Sequence, residues 1–284
     1  MEENVRQVAD PVTGPAVLQE PQFTFFGDFD ANVNASPASL QGKVSKDPKT
    51  AAVILAGGSG TRFGVAGGKQ LMKIFGKPVL TWSAEAFDAV ADVGLIVIVC
   101  PEERMEEYCK VAIDPYPFVT PIELASASDL RQQSSFSGIC KVPDSYEIIA
   151  IHDGARPLVT PELISHAISA IKGDLDADGV VVGHPALDTL KVVSDGKVLG
   201  TPDRNAFWIA QTPQIFRSEI IREAHMMALS EGFVGTDDAS LVERIGGSLI
   251  LVQGPRNNIK LTVPEDFGPI QAALASKIKM SFED

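Results

Sequence analysis

Cysteine is scarce in this 284-residue chain, and basic residues are outnumbered, 24 Lys and Arg against 37 Asp and Glu. Cys100, Cys109 and Cys140 are odd in number and show no C-x-x-C spacing. That pattern argues against a disulfide frame or a zinc site and fits reduced thiols in a cytoplasmic protein. The formal net charge of −13 weighs against nucleic acid, whose phosphates the molecule as a whole repels. A small phosphorylated substrate stays open, with local Arg, Lys and metal supplying the attraction. Long hydrophobic runs are missing too: the longest, Leu95 to Cys100, is far too short to span a bilayer. No secretory core, internal repeat or low-complexity tract is visible.

Regular periodicity is absent from the first fifty residues, which carry Pro11, Pro15, Pro21, Pro37 and Pro48 and only a short aromatic patch at Phe23, Phe25 and Phe26. Residues 1–49 are therefore expected to form a flexible N-terminal extension. Its acids (Glu2, Glu3, Asp10, Glu20, Asp28, Asp30) argue against a transit peptide, which is basic and poor in acids. The remaining chain, about residues 50–280, is long and apolar enough for one large domain.

What the chain does have is glycine at one place. Ala56-Gly57-Gly58-Ser59-Gly60-Thr61-Arg62-Phe63-Gly64 runs on through Gly67-Gly68 to Lys69 and Gln70, directly after the apolar run Ala51 to Leu55. A buried strand opening into such a loop brings backbone N–H groups up to a polyphosphate without side-chain interference. Arg62 and Lys69 add a planar fork and a point charge, which suits phosphoryl or nucleotidyl transfer, where charge builds on oxygen. Two better-known phosphate loops fail to match. The dinucleotide fingerprint needs its third glycine at Phe63, and a Walker A loop needs a glycine at Phe63 and a hydroxyl at Gln70.

Beyond the loop, strand and helix alternate. Helices are expected over Pro78–Phe87, Glu102–Val111, Arg131–Cys140 and Pro161–Ile171, and strands over Gly94–Cys100, Glu147–Ile151 and Gly179–Val182. This order predicts an α/β protein with a mainly parallel sheet, helices on both faces and ligands at the carboxyl edge. From Leu187 to Ala206 the pattern changes to a β-hairpin around Ser194-Asp195-Gly196-Lys197. An isolated hairpin is marginal in water, so this arm is expected to pack on something, a second subunit being the natural candidate.

His152-Asp153-Gly154-Ala155-Arg156-Pro157 follows a strand, as the glycine loop does. Asp153 is placed to hold Mg2+ and Arg156 to grip a second phosphate. His152 reads equally as a packed residue or as an acid or base. Gln211-Thr212-Pro213-Gln214 and Thr236-Asp237-Asp238-Ala239 read as polar corners, with Thr236 or Asp237 available to cap a helix from Ala239 to Ile245. In Asn257-Asn258-Ile259-Lys260-Leu261-Thr262, Lys260 is a third cation able to reach a substrate phosphate. His166, His184 and His225 have no ligand-like spacing and read as structural.

From Ala51 to Phe267 these motifs, in this order, resemble the 2-C-methyl-D-erythritol 4-phosphate cytidylyltransferases of the non-mevalonate isoprenoid route. The likeness rests on L-A-G-G-x-G-T-R with K-Q, H-D-x-A-R-P, D-T-L-K, T-P-D-R-N, Q-T-P-Q, T-D-D-A-S-L-V-E and N-I-K-L-T. It implies a Rossmann-like three-layer nucleotidyltransferase fold, CTP as donor, a phosphorylated polyol as acceptor, Mg2+ as cofactor and a homodimer whose arms cross into neighbouring sites. By the same resemblance Arg62 and Lys69 steady the transition state and Asp153 is the metal- and ribose-side acid. Ala56, Gly57, Gly58 and Gly60 belong to the nucleotide loop, and Arg131 and Ser134 to the cytosine side. Arg156, Thr212, Thr236 and Lys260 match acceptor positions, and Thr189 and Arg204 match residues given by the partner subunit.

The segment Ala127 to Ser135 departs from the family pattern, with Ser128 in place of a glycine and Gln133 in place of an aspartate, which changes the side chains offered to cytosine. Ribitol-5-phosphate cytidylyltransferases share part of the motif set, but Thr201–Asn205 and Thr236–Ser240 favour the methylerythritol reading. A non-catalytic nucleotide-binding module is expected to have lost at least one of Arg62, Lys69 and Asp153, all of which are present.

Overall fold

Thr50–Leu55 forms an interior strand of the main sheet, with every residue buried. It is sandwiched between two neighbours, as its continuous apolar run demands. The structure, a computed structural model, describes residues 48–58 and 68–283. Their strands are β1 (Thr50–Leu55), β2 (Lys73–Ile74), β3 (Lys77–Pro78), β4 (Val93–Cys100), β5 (Ile122–Ser126), β6 (Ile148–Asp153), β7 (Gly179–Pro185), β8 (Val192–Ser194), β9 (Lys197–Gly200), β10 (Trp208–Arg217) and β11 (Leu249–Gln253). The helices are α1 (Val79–Asp88), α2 (Met105–Tyr108), α3 (Arg131–Lys141), α4 (Pro161–Gly173), α5 (Ser218–Glu231), α6 (Ala239–Arg244) and α7 (Phe267–Glu283).

Among the described residues the main sheet has seven strands in the order β11-β7-β10-β6-β1-β4-β5. The β1, β4, β5 and β6 pairings are parallel, as is β7 with β11, while β10 runs antiparallel between β6 and β7. Side chains of β1 alternate between the two faces. Ala52 and Ile54 join a core with Leu80 and Phe87 of α1 and Leu163 and Ala167 of α4. Ala51 and Val53 join a second core with Ile139 of α3, Ile221 of α5 and Val242 of α6. The chain is thus an α/β protein of three layers, as the alternation of elements predicts. The parallel strands end together, so the turns after β1 and β6 lie side by side, with Leu55 opposite Asp153.

The segment Gln211–Gln214 corrects its reading as a corner: it lies inside β10 and is fully buried. Its polar side chains are satisfied across the sheet edge. Gln211 donates to Pro255 O at 3.0 Å and Gln214 donates to Asp237 at 2.7 Å. At Thr236–Ala239 it is Asp237 that caps α6, accepting from Ser240 N at 3.0 Å. The segment expected to be one helix over Glu102–Val111 is instead a 3-10 turn, the short α2 and a π-helical turn through Ile113.

The arm exists as a hairpin of β8 and β9 joined at Asp195-Gly196, where both φ angles are positive (48° and 74°). That geometry is the tight hairpin turn for which Asp-Gly is suited. Val192, Val193, Val198 and Leu199 on it are 49 to 66% exposed. The expected N-terminal extension lies, through residue 47, outside the described residues, as do Gly60 and Arg62.

Candidate active site

A cavity of about 410 Å3 opens at the carboxyl edge, lined by Gly57, Gly58, Lys69, Gln70, Ser128, Asp129, Arg131, Ser134, Asp153 and Lys260 among others. Its floor is the start of the glycine loop. Tyr108 donates to Ala56 O at 3.0 Å, and Ala56 N donates to Val99 O at 2.7 Å, so the chain leaves β1 along a fixed path. Gly57 has no room for a side chain, because a Cβ there sits 2.1 Å from Ala127 Cβ. The start of the loop and the Ala127–Ser128 segment therefore press together, which only a residue without a side chain permits at position 57.

Ser134 fixes the opposite wall. Its hydroxyl accepts from Ser128 N at 2.9 Å and donates to Ser128 O at 3.0 Å, closing the departing segment onto the first turn of α3. One residue pair deeper, Gln132 donates to Phe233 O at 3.0 Å and accepts from Gly235 N at 2.8 Å. The loop that leads to Thr236 thus hangs from α3.

Asp153 stands at the end of β6 with cations on three sides. Lys260 Nζ is 2.7 Å from Oδ2, Arg131 Nε is 3.3 Å from Oδ1, and Arg156 Nε is 3.9 Å from Oδ2. Burial opposes its charge, but Arg131, Lys260 and Arg156 together hold the carboxyl well below the usual carboxylate range. Arg131 is shared: its Nη1 donates to Asp238 Oδ2 at 2.7 Å. Asp238 is itself buried and also accepts from Ser135 at 2.6 Å and meets His225 Nε2 at 3.1 Å. Burial raises the Asp238 carboxyl, and the Arg131 charge with the His225 and Ser135 bonds brings it below its ordinary value. Arg156 donates from Nη1 to Asn258 O at 2.8 Å, which ties the turn after β6 to the Lys260 segment. Sequence reasoning gave no role to Ser135 or Gln132, read His225 as structural and kept Asp238 only as a member of a polar corner. A signal was there in Asp237-Asp238: one of two adjacent acids suffices as a cap, which leaves the other for a different task.

Gly57, Gly58, Lys69, Arg131, Ser134, Asp153 and Lys260 line the cavity. Ala56, Arg156 and Thr212 stand behind that lining: Ala56 precedes Gly57 in the chain, Arg156 Nε is 3.9 Å from Asp153 Oδ2, and the Thr212 hydroxyl accepts from Asp153 N at 3.1 Å. Thr236 is exposed on the loop beside α6, outside the cavity lining. Thr189 and Arg204 stand exposed at the two ends of the arm, also outside that lining. A chain of net charge −13 therefore presents Lys69, Arg131, Arg156 and Lys260 at one edge, the local cationic field that a polyphosphate needs.

The sequence profile of one family, described as 2-C-methyl-D-erythritol 4-phosphate cytidylyltransferase, matches residues 50–276. The chain belongs to that family. A protein of that name from Caldanaerobacter subterraneus subsp. tengcongensis is 45% identical over 218 residues, covering 76% of this chain and 94% of that relative. Another from Syntrophotalea carbinolica is 40% identical over 224 residues, 78% of this chain and 94% of the relative. Among solved structures, the 4-diphosphocytidyl-2C-methyl-D-erythritol synthase of Anaerococcus prevotii superposes with a TM-score of 0.70 at 27% identity, covering 80% of this chain and 98% of its own. Family members are nucleotidyltransferases, and the chain's three-layer sheet is theirs. Among the described residues no helix is long and apolar enough to cross a membrane.

Proposed function

We infer that this chain transfers CMP from CTP to 2-C-methyl-D-erythritol 4-phosphate, releasing pyrophosphate and giving 4-diphosphocytidyl-2-C-methyl-D-erythritol. The observation that carries the reading is the ring of Arg131, Arg156 and Lys260 around Asp153, sharing one cavity with Lys69, Gly57 and Gly58, in a chain matched to the family over residues 50–276. An oxygen of the acceptor phosphate attacks the α-phosphorus of CTP. A new P–O bond forms as the bond to the β-phosphate breaks, and pyrophosphate leaves with the electron pair.

The residues divide this work by charge and shape. Gly57 and Gly58 give the triphosphate close backbone approach, while Lys69, with Arg62 from the loop outside the described residues, faces the charge that grows on the α-phosphate. Arg131 and Ser134 hold the wall on the cytosine side. Lys260 and Arg156 take the acceptor phosphate, and exchange of Lys260 from Asp153 to that phosphate keeps its charge paired throughout. Thr212 and Thr236 complete the acceptor side.

Asp153 also fits a Mg2+ ion. Among the described residues no cluster of three His, Cys, Asp or Glu exists to build a protein cage. Mg2+ is ordinarily held by one or two carboxylates together with substrate phosphates and water, which one Asp beside a triphosphate loop satisfies. When bound, the ion neutralises phosphate charge and orients the chain of phosphates.

The functional unit is proposed to be a homodimer, with Thr189 and Arg204 of each arm completing the other subunit's site. The exposed Val192, Val193, Val198 and Leu199 support this, because a free-standing hairpin leaves that apolar surface in water. A cytoplasmic setting accompanies the reading, supported by three free thiols. Pyrophosphate release, measured with methylerythritol phosphate and ribitol phosphate each crossed against CTP and UTP, tests the assignment. Turnover with CTP and the methylerythritol acceptor is the expected result. Faster turnover with ribitol phosphate overturns the acceptor, and faster turnover with UTP overturns the donor.

A further inference from the structure

His152 has no solvent exposure and lies under the site, its ring tilted against Phe87 with 5.2 Å between centroids. Both of its nitrogens are engaged. Nε2 is 3.4 Å from the Arg156 carbonyl oxygen, and Nδ1 is 3.1 Å from Thr212 Oγ1. A carbonyl oxygen only accepts, so the hydrogen of the first pair resides on Nε2. In the neutral ring Nδ1 is then an acceptor, and the Thr212 hydroxyl donates to it. That hydroxyl has one hydrogen and two acceptor sites. The hydrogen is spent on His152 and one acceptor site on Asp153 N.

We propose that His152 is a positioning residue of this site: it holds the Thr212 hydroxyl proton and, through Thr212, the Asp153 backbone, leaving Thr212 to accept from a substrate hydroxyl and unable to donate to a phosphate. The consequence for recognition is a division of labour. The acceptor's phosphate falls to Arg156 and Lys260, and Thr212 reads an alcohol group of the same molecule. This inference rests on the acceptor-site reading of Thr212 given above.

The experiment has two arms on the full-length protein. The first needs no substrate: a two-bond 1H–15N correlation spectrum at one pH near neutrality reports the ring tautomer of His152, with His152→Asn identifying its signals. The Nε2–H form is expected, and the Nδ1–H form or an imidazolium overturns the proposal. The second arm is kinetic. His152→Phe keeps a ring against Phe87 but leaves Thr212 without its acceptor; the acceptor KM is expected to rise about 10- to 100-fold with the CTP KM within about threefold, the range for one unsatisfied buried polar group. His152→Asn offers Oδ1 where Nδ1 was and is expected to recover most of that loss.

A double variant decides whether His152 acts through Thr212. Adding His152→Phe to Thr212→Val is expected to cost less than about threefold further, because the hydroxyl to be oriented is already gone. Fully multiplicative effects overturn the proposal. If His152→Phe does not fold, the spectrum and the Asn variant still decide. Failure of the unmodified protein to turn over CTP with the methylerythritol acceptor counts against the functional reading instead, and leaves the tautomer result standing on its own.

Discussion

Arg131 reaches past Asp153 to place its Nη1 2.7 Å from Asp238, a carboxylate contributed 107 residues later in the chain and only 1% exposed. One guanidinium thus links the end of β6 to the start of α6 and sets the position of the cavity wall between them. Asp238→Ala removes the charge and strands three donors, Arg131, Ser135 and His225. The expected loss of folding stability is about 3 kcal/mol, at the lower end for a broken buried pair because Arg131 keeps 31% exposure. Urea unfolding measures it. The CTP KM should rise as Arg131 loses its anchor, and a variant of unchanged stability and KM refutes the linking role.

Gly57 and Ala127 make a second contact that constrains the site, with no space for a Cβ between them. Gly57→Ala is expected to weaken CTP binding and to destabilise the fold by about 1 to 3 kcal/mol, the usual cost of overpacking. Because the obstacle is one methyl group, Ala127→Gly in the same chain should restore part of both losses. Isothermal titration with CTP and thermal unfolding of the single and double variants test this, and absence of any rescue moves the cause elsewhere in the loop.

Lys69 is nearly buried at the cavity wall, so its charge works in a poorly solvated place. Lys69→Ala should lower kcat roughly 100- to 1000-fold, with a smaller effect on CTP affinity, if its charge serves the transition state more than the ground state. Asp153→Asn should shift the Mg2+ activation curve to higher concentration, since an amide is a poorer ligand for a hard dication. An unshifted curve leaves Asp153 as an anchor for Arg131 and Lys260 alone.

Burial drives the His152 imidazole down from 6.5 to about 3, against the pull of Asp153 and with the push of Arg156 and Lys260, which also face it. The unfolded chain therefore takes up a proton between those values that the native chain refuses. Stability is expected to fall as pH drops through this window, by up to about 1.4 kcal/mol per unit from this group. Below the ordinary carboxylate range, Asp153 and Asp238 act in the same direction, because their depressed native values leave only the unfolded chain ready to be protonated. Urea midpoints between pH 7 and pH 4 check the first part. His152→Asn should flatten the slope there, and an equal slope in both proteins removes His152 as its source.

Much of this site was legible because its motifs sit on local geometry. The glycine run after β1, Asp153 at the end of β6 and the Lys260 turn each announce themselves within ten residues. The second ring of contacts has no such signal. Ser135 meets Asp238 across 103 positions and Gln132 meets Gly235 across the same distance, so nothing in either neighbourhood hints at the other. Strand β10 was hidden for a different reason. Gln211, Thr212 and Gln214 read as a polar corner around Pro213, yet each polar group finds a partner on a neighbouring segment, and the strand runs on between β6 and β7.

Arg204 lies exposed at the foot of the arm, its Nη1 donating to Leu187 O at 2.7 Å, and neither it nor Thr189 lines the cavity of its own subunit. The proposed dimer puts both into the partner's site, where Arg204 grips the acceptor phosphate in ground and transition states alike. Arg204→Ala should then raise the acceptor KM about tenfold or more while the CTP KM stays within about twofold, the signature of lost uniform binding. Sharing makes a stronger demand. Mixing Lys69→Ala subunits with Arg204→Ala subunits yields heterodimers in which one site carries both lesions and the other carries neither. Once subunit exchange is verified by mass, activity well above the sum of the two parent variants is expected. No recovery after verified exchange places Arg204 in its own subunit's site or outside the chemistry altogether.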